Sequence, residues 1–347
     1  MNMKSINKLF PRWAMITIIV AAIVTIAVAL IALSISSLFS QEADSRVFSG
    51  PSYPYIARIK IVGEISGSAS RFASSDNAYH HKWTIQTINT LMNDSNNKGI
   101  CLWIDTPGGA VYECDELYLK LMEYKERTGR PIYAYMRRIA TSGGYYTASA
   151  ADEVFANRNT WTGSIGVTLG TLFDVSGFLE KYGIKTDTIT SGQNKAMGNY
   201  YEPMTDEQRA IFQSLVDDAY DRFVAIVAEA RGMTDKEARV LADGRLFTAG
   251  QALDAGLIDG IMGETDAETE IKSRFEGGAT IYDCFYKPDT YYLSLFTSVF
   301  GGRQGLLDMI GSAFDGSLYK GDVAAVLELV QEQAESGVPP LKYLYVG

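Results

Sequence analysis

The sequence predicts a layered α/β fold, and three observations carry that expectation. Short apolar runs alternate with longer amphipathic ones at the spacing of parallel βαβ units. Turn-forming Pro-Gly-Gly and Ser-Gly-Gly stretches follow two of the apolar runs. Hydrophobic residues make up 47% of the 347-residue chain and charged residues 21%, the balance of a globular protein and not of a disordered one. The length predicts one large domain or two small ones.

The first element stands apart from the rest. Residues 1–12 hold Lys4, Lys8 and Arg12 and no acid; residues 13–40, from Trp13 to Ser40, hold no charge, no Pro and no Gly. This uncharged run exceeds the roughly 20 residues that cross a bilayer as a helix. It also exceeds the apolar core of about 7–15 residues in a cleaved signal peptide. The expected element is therefore an uncleaved transmembrane helix in the cell membrane. The other residues carry 28 basic and 41 acidic side chains, so the net charge of -10 divides into +3 and -13. The positive-inside rule puts residues 1–12 in the cytoplasm and the body outside it. The acidic balance argues against a nucleic-acid partner.

Residues 41–54 are polar with turn formers and read as a linker. Tyr55–Val62 reads as a strand. Trp83–Asn93 reads as a helix with Trp83, Ile85, Ile88, Leu91 and Met92 on one side. Ile100–Ile104 is a short buried strand ahead of the Pro-Gly-Gly turn, Val111–Tyr124 a helix and Ile132–Met136 a strand. Val154–Ala156 and Thr186–Thr190 are expected as further short strands. Met204–Arg231 is a long amphipathic helix, and Thr234 and Glu237 have capping-box spacing for the next one. Residues 276–347 change character: they are aromatic-rich and end in the extended stretch VPPLKYLYVG.

Four small, nearly uncharged segments could carry chemistry. In Thr106-Pro107-Gly108-Gly109 the glycines permit a sharp turn and close approach to a ligand. Exposed N–H groups there would attract developing negative charge. In Ala140–Ala148 (ATSGGYYTA), Ser142 opens a helix, with the Gly143 N–H as a candidate oxyanion donor. Thr162–Val167 (TGSIGV) offers the Ser164 hydroxyl to orient a polar group. In Ser191-Gly192-Gln193-Asn194-Lys195, Lys195 is the only charge between Thr188 and Tyr201. A lysine base must be neutral near pH 7; desolvation lowers its pKa, and an acidic partner would hold the proton on. Each segment also has a plain structural reading: a strand-to-helix turn, a Ser N-cap, a buried turn and a solvated loop lysine.

Elimination narrows the chemistry. The only histidines, His80 and His81, lie in a polar stretch without Gly-rich support, which disfavours a Ser-His-Asp triad. No cluster of His and carboxylates suits a metal. Three cysteines, Cys101, Cys114 and Cys284, make neither a disulfide framework nor a zinc site. Serine activated by lysine is the remaining nucleophilic design.

Taken in order, PGG, TSGGYY, GSIGV and SGxxK resemble the signal peptide peptidase A family of membrane-anchored serine proteases, of the short, single-repeat type. The resemblance spans about Ala57 to Phe275, including FTAGQALDAGLID. It implies a ClpP/crotonase-like α/β fold, a peptidase domain over residues 55–275, and a C-terminal extension of unknown role over 276–347. It implies Ser142 as nucleophile and Lys195 as general base, with Ser164 orienting the lysine. Gly109 and Gly143 would supply the oxyanion hole, with Gly108 shaping the turn. The implied substrates are remnant signal peptides and other extended hydrophobic segments. The implied assembly is a homo-oligomer, in which Lys195 comes from its own or a neighbouring subunit. No metal or cofactor is implied. Three alternatives stand beside this one: a regulatory membrane protease, a crotonase-like acyl-CoA enzyme, and a non-catalytic membrane-anchored scaffold. The tail at 276–347 is expected to form an oligomer contact or to lie over the cleft as a strand.

Overall fold

The computed structural model describes residues 48–67, 78–275, 278–286 and 342–344, all within the unit spanning residues 47–347. The expected anchor at 13–40 lies outside the described residues. Among those residues, no helix is long and apolar enough to cross a membrane.

The predicted α/β layering is present. In chain order, β1 (Tyr55–Val62), α1 (His81–Asn93), β2 (Asn97–Thr106), β3 (Gly108–Ala110), α2 (Val111–Thr128) and β4 (Ile132–Thr141) come first. They are followed by α3 (Gly143–Ala148), β5 (Glu153–Ala156), β6 (Trp161–Gly163) and α4 (Ser176–Lys181). Then come α5 (Asp206–Arg231), α6 (Asp235–Leu241), β7 (Leu246–Thr248), α7 (Ala249–Asp254) and β8 (Gly260–Ile261). The last are α8 (Glu264–Ser273), β9 (Thr280–Cys284) and β10 (Lys342–Leu344).

Among the described residues the main sheet has eight strands, in the path β7-β6-β4-β2-β1-β9, with β5 against β4 and β8 against β5. Its pairings are parallel except β6 with β7. β4 changes partner along its length. Tyr133–Met136 run beside β5, and Ile139–Thr141 run beside β6. That divergence opens one end of the sheet, where the strands feed the Gly-rich turns.

Both faces of the sheet are covered, which is why β2 reads as the continuous apolar run ICLWI. On one face Ile59, Ile61, Ile100 and Leu102 share a core with Leu91 of α1 and Leu117 and Leu121 of α2. On the other, Ile56, Cys101, Trp103 and Tyr135 meet Ala267 and Ile271 of α8. Each fully buried Leu or Ile contributes roughly 1.5–3 kcal/mol relative to exposure. Arg58 is tolerated on this second face because Asp283 and Glu268 pair with it and its guanidinium lies 5.0 Å from the Trp103 ring centroid.

The long helix expected from Met204 begins at Asp206, and the capping box expected at Thr234 is present. Thr205 and Gln208 form a capping box on α5, and Thr234 and Glu237 form one on α6. One expected strand is absent: Thr186–Thr190 is irregular, and Ile189 is 94% exposed. The segment has β-branched residues but no sheet edge to pair with, and strand propensity without a packed face does not make a strand. It belongs to a longer exposed stretch, which also displays Phe173, Phe178, Tyr182 and Tyr200. The sheet also reaches beyond residue 275: β9 lies parallel to β1, with Tyr55 opposite Thr280.

Candidate active site

Three of the four Gly-rich segments meet at the open end of the sheet. Ser142 follows β4 and precedes α3 in an unusual backbone conformation, φ 55° and ψ -117°. Its side chain makes no capping hydrogen bond, so it is not an ordinary N-cap. The residue is buried. Among the described residues only Ser142 and Ser164 are non-glycine residues with positive φ. Such a conformation costs about 1–3 kcal/mol and persists only where the surroundings over-determine it. Here the backbone supplies the constraint. Ser142 N–H donates to the Gly163 carbonyl at 2.7 Å, and Ser164 N–H donates to the Arg245 carbonyl at 2.8 Å.

The Pro-Gly-Gly turn is drawn to the same place. Thr106 at the end of β2 lies opposite Ala140 of β4. Thr141 Oγ1 donates to the Pro107 carbonyl at 3.1 Å, tying the two turns together. Gly108 N–H donates to Thr106 Oγ1 at 3.0 Å, so Gly108 shapes the turn. Gly109 lies against Ile65, and a Cβ there would sit 1.9 Å from the Ile65 carbonyl oxygen. Only glycine fits. Gly143 begins α3, directly after Ser142. The edge of β3 is also paired: β10 runs antiparallel to it, with Tyr343 opposite Gly109 and Leu344 opposite Gly108. The C-terminal tail therefore has a strand beside the turn that flanks Ser142.

Lys195 is not part of this convergence. It lies in an exposed turn, where its N–H donates to the Gly192 carbonyl at 3.0 Å. Among the described residues nothing bonds its ammonium group. The fold also brings an acid nearer than the sequence suggests: Glu207 of α5 accepts from Gln193 Nε2 and Asn194 Nδ2. Ser164 lines a recess of about 300 Å³ together with Val167, Thr168, Tyr220, Asp243 and Gly244.

The two histidines are engaged elsewhere. His80 stacks on Tyr286 with ring centroids 3.7 Å apart, and desolvation lowers its pKa. His81 lies between Tyr79 and Glu116, 2.7 Å and 2.6 Å from their oxygens. All three cysteines are buried and free, and burial pushes their thiols up. The sequence reading did not single out Thr141 as a site residue, nor the hydroxyl of Thr106. Their positions next to the two glycine pairs are the signal that could have found them.

This arrangement can hold a serine hydroxyl beside backbone N–H donors at the mouth of a strand edge, the parts an acyl transfer needs. Known proteins of similar sequence point the same way. The sequence model of Peptidase family S49 matches residues 124–276. A protein of Enterococcus faecium named as a signal peptide peptidase SppA is 34% identical over 242 residues, 70% of this chain and 69% of that protein. Serine protease SPPA, chloroplastic, of Arabidopsis thaliana is 31% identical over 209 residues, 60% of this chain and 30% of that protein. Among solved structures, a ClpP1 mutant from Listeria monocytogenes is similar over 60% of this chain and 92% of that one, with a TM-score of 0.39 and 16% identity. The chain thus belongs to peptidase family S49, the family of signal peptide peptidase SppA and protease 4, and is a serine protease.

Proposed function

We propose that this serine protease is a membrane-anchored endopeptidase with a Ser142–Lys195 dyad on a ClpP/crotonase-like fold. In this reading it acts on remnant signal peptides and other extended hydrophobic segments. The observation that carries the serine half of the dyad is the convergence of Ser142, Ser164 and the Gly108–Gly109 strand at one end of the sheet; Lys195 is assigned from the resemblance. The exposure of Lys195 and of the apolar side chains around it favours a homo-oligomer in which a neighbouring copy supplies the lysine. The anchor and the extracytoplasmic body rest on the uncharged run at 13–40 and its flanking charges.

The mechanism follows from these parts. An extended peptide pairs along the edge of β3, the edge that β10 covers in a single chain. Ser142 Oγ attacks the scissile carbonyl carbon while neutral Lys195 Nζ takes the hydroxyl proton. The tetrahedral oxyanion is held by the backbone N–H groups of Gly109 and Gly143. The Lys195 ammonium then gives its proton to the leaving amine. Water attacks the acyl-enzyme with Lys195 as base, and Ser142 is regenerated. A serine-reactive phosphonate or fluorophosphonate probe tests the nucleophile. Labelling of the wild type that disappears in Ser142→Ala supports the reading; labelling that survives removes it.

A further inference from the structure

Among its described lining residues the recess beside Ser164 carries one carboxylate, and that half-exposed carboxylate is paired with an arginine. The titratable groups among those residues are Asp243 and Tyr220. A carboxylate here works against a lysine base: a negative charge within about 4–6 Å of an amine favours the protonated form. Arg245 answers that charge. Its Nε donates to Asp243 Oδ1 at 2.7 Å and its second terminal nitrogen donates to Oδ2, a bidentate fork. Arg245 also holds the Asp243 pKa down to about 2, so the carboxylate is ionised throughout the working range. Arg239, 5.5 Å from the Tyr220 ring centroid, pairs with Asp221 and Asp235.

The same turn reaches Ser164 through the backbone. The Arg245 carbonyl accepts from Ser164 N–H, and Gly244 N–H donates to the Ile165 carbonyl. Asp243 Oδ1 accepts from Arg245 N–H at 3.1 Å, which fixes the turn. The Asp243 side chain thus has a geometric duty beside Ser164, and its charge has to be neutralised there.

We propose that Arg245 is a positioning residue for catalysis: its guanidinium cancels the Asp243 carboxylate at the Ser164 recess, so that the lysine reaching Ser164 can stay neutral. The inference rests on reading Lys195 as the base that meets Ser164. It adds a residue whose contribution is charge and whose side chain touches neither substrate nor nucleophile.

The test is the acidic limb of kcat/KM against pH for the full-length, detergent-solubilised protein with a fluorogenic peptide, since that limb reports the base of the free enzyme. Arg245→Gln leaves the carboxylate uncompensated and should move the limb to higher pH by a few tenths of a unit, the size expected for a pair that solvent screens on its outer side. Asp243→Asn keeps the Oδ1 acceptor but leaves the cation unpaired, and should move it to lower pH. The double variant should return close to wild type, and Arg245→Lys should stay there. All four keep the backbone carbonyl that holds Ser164, so a merely structural role would not produce opposite shifts. Limbs that coincide in all variants, or that move in one direction, overturn the proposal. Lys195→Ala separates the two failures. If it is inactive while the limbs coincide, only the role of Arg245 falls; if it retains wild-type turnover, the lysine base falls and this inference with it.

Discussion

Ser142 N–H donates to the Gly163 carbonyl at 2.7 Å, so the nucleophile candidate and Ser164 are fixed relative to each other by main chain alone. The bond continues the β4–β6 register, in which Thr141 lies opposite Gly163. Two strained serines on adjacent strand ends are therefore a product of the sheet and not of a loop.

The tight approach of Gly109 to Ile65 makes position 109 intolerant of any side chain. Gly109→Ala is expected to cost about 1–3 kcal/mol of stability through the forced backbone shift. Displacement of the oxyanion donor should lower kcat by about a hundredfold or more. Denaturant melts and peptide turnover measure the two effects, and an unchanged turnover would remove Gly109 from the oxyanion site.

The isolation of Lys195 from Ser142 makes the assembly testable by mixing. Ser142→Ala and Lys195→Ala proteins, each inactive, should regain turnover when co-assembled, because some interfaces then join an intact serine to an intact lysine. Continued inactivity of verified mixed oligomers would put the dyad within one chain.

The pairing of β10 with β3 places the tail along the strand edge assigned to substrate. Removing residues 335–347 should raise the rate on short peptides by at least about twofold, as expected when a competing strand is withdrawn. A change in oligomer size would show that the tail also serves assembly. If rate and size both stay the same, the tail has neither role.

His80 links stability to pH. Desolvation lowers its folded pKa below the ordinary value of 6.5, so the unfolded chain binds more protons between the two values. Its contribution is full above pH 6.5 and is lost as pH falls toward the folded pKa. Thermal melts between pH 8 and 5 should fall less steeply for His80→Gln than for the wild type. Equal slopes would show that His80 titrates alike in both states.

Much of the sheet is legible in the sequence because its strands are buried on both faces. ICLWI and IYAYM have no polar side to obscure them, and the capping box at Thr234 is a local signal. Strand ends were harder: β2 and β4 extend through Asp105-Thr106 and Arg137–Thr141, where polar and charged residues interrupt the apolar runs. Thr186–Thr190 failed as a strand because its propensity had no partner edge. The Gly-rich segments showed where the backbone turns, but the positive φ of Ser142 comes from the β4–β6 pairing, a contact between segments about 20 residues apart. Lys195 was legible as a lysine without acidic sequence neighbours, yet Glu207 reaches its turn from α5. The Asp243–Arg245 fork was invisible for a related reason: nothing local connects it to Ser164.

The central claim is a Ser142 nucleophile activated by Lys195, and peptide turnover by the full-length, detergent-solubilised protein tests it most directly. Wild type, Ser142→Ala and Lys195→Ala should be compared on one fluorogenic hydrophobic peptide at pH 8. The account predicts turnover by the wild type and a loss of at least about a thousandfold in each variant, the scale seen when a member of such a unit is removed. Turnover that persists at the wild-type rate in Ser142→Ala would contradict it.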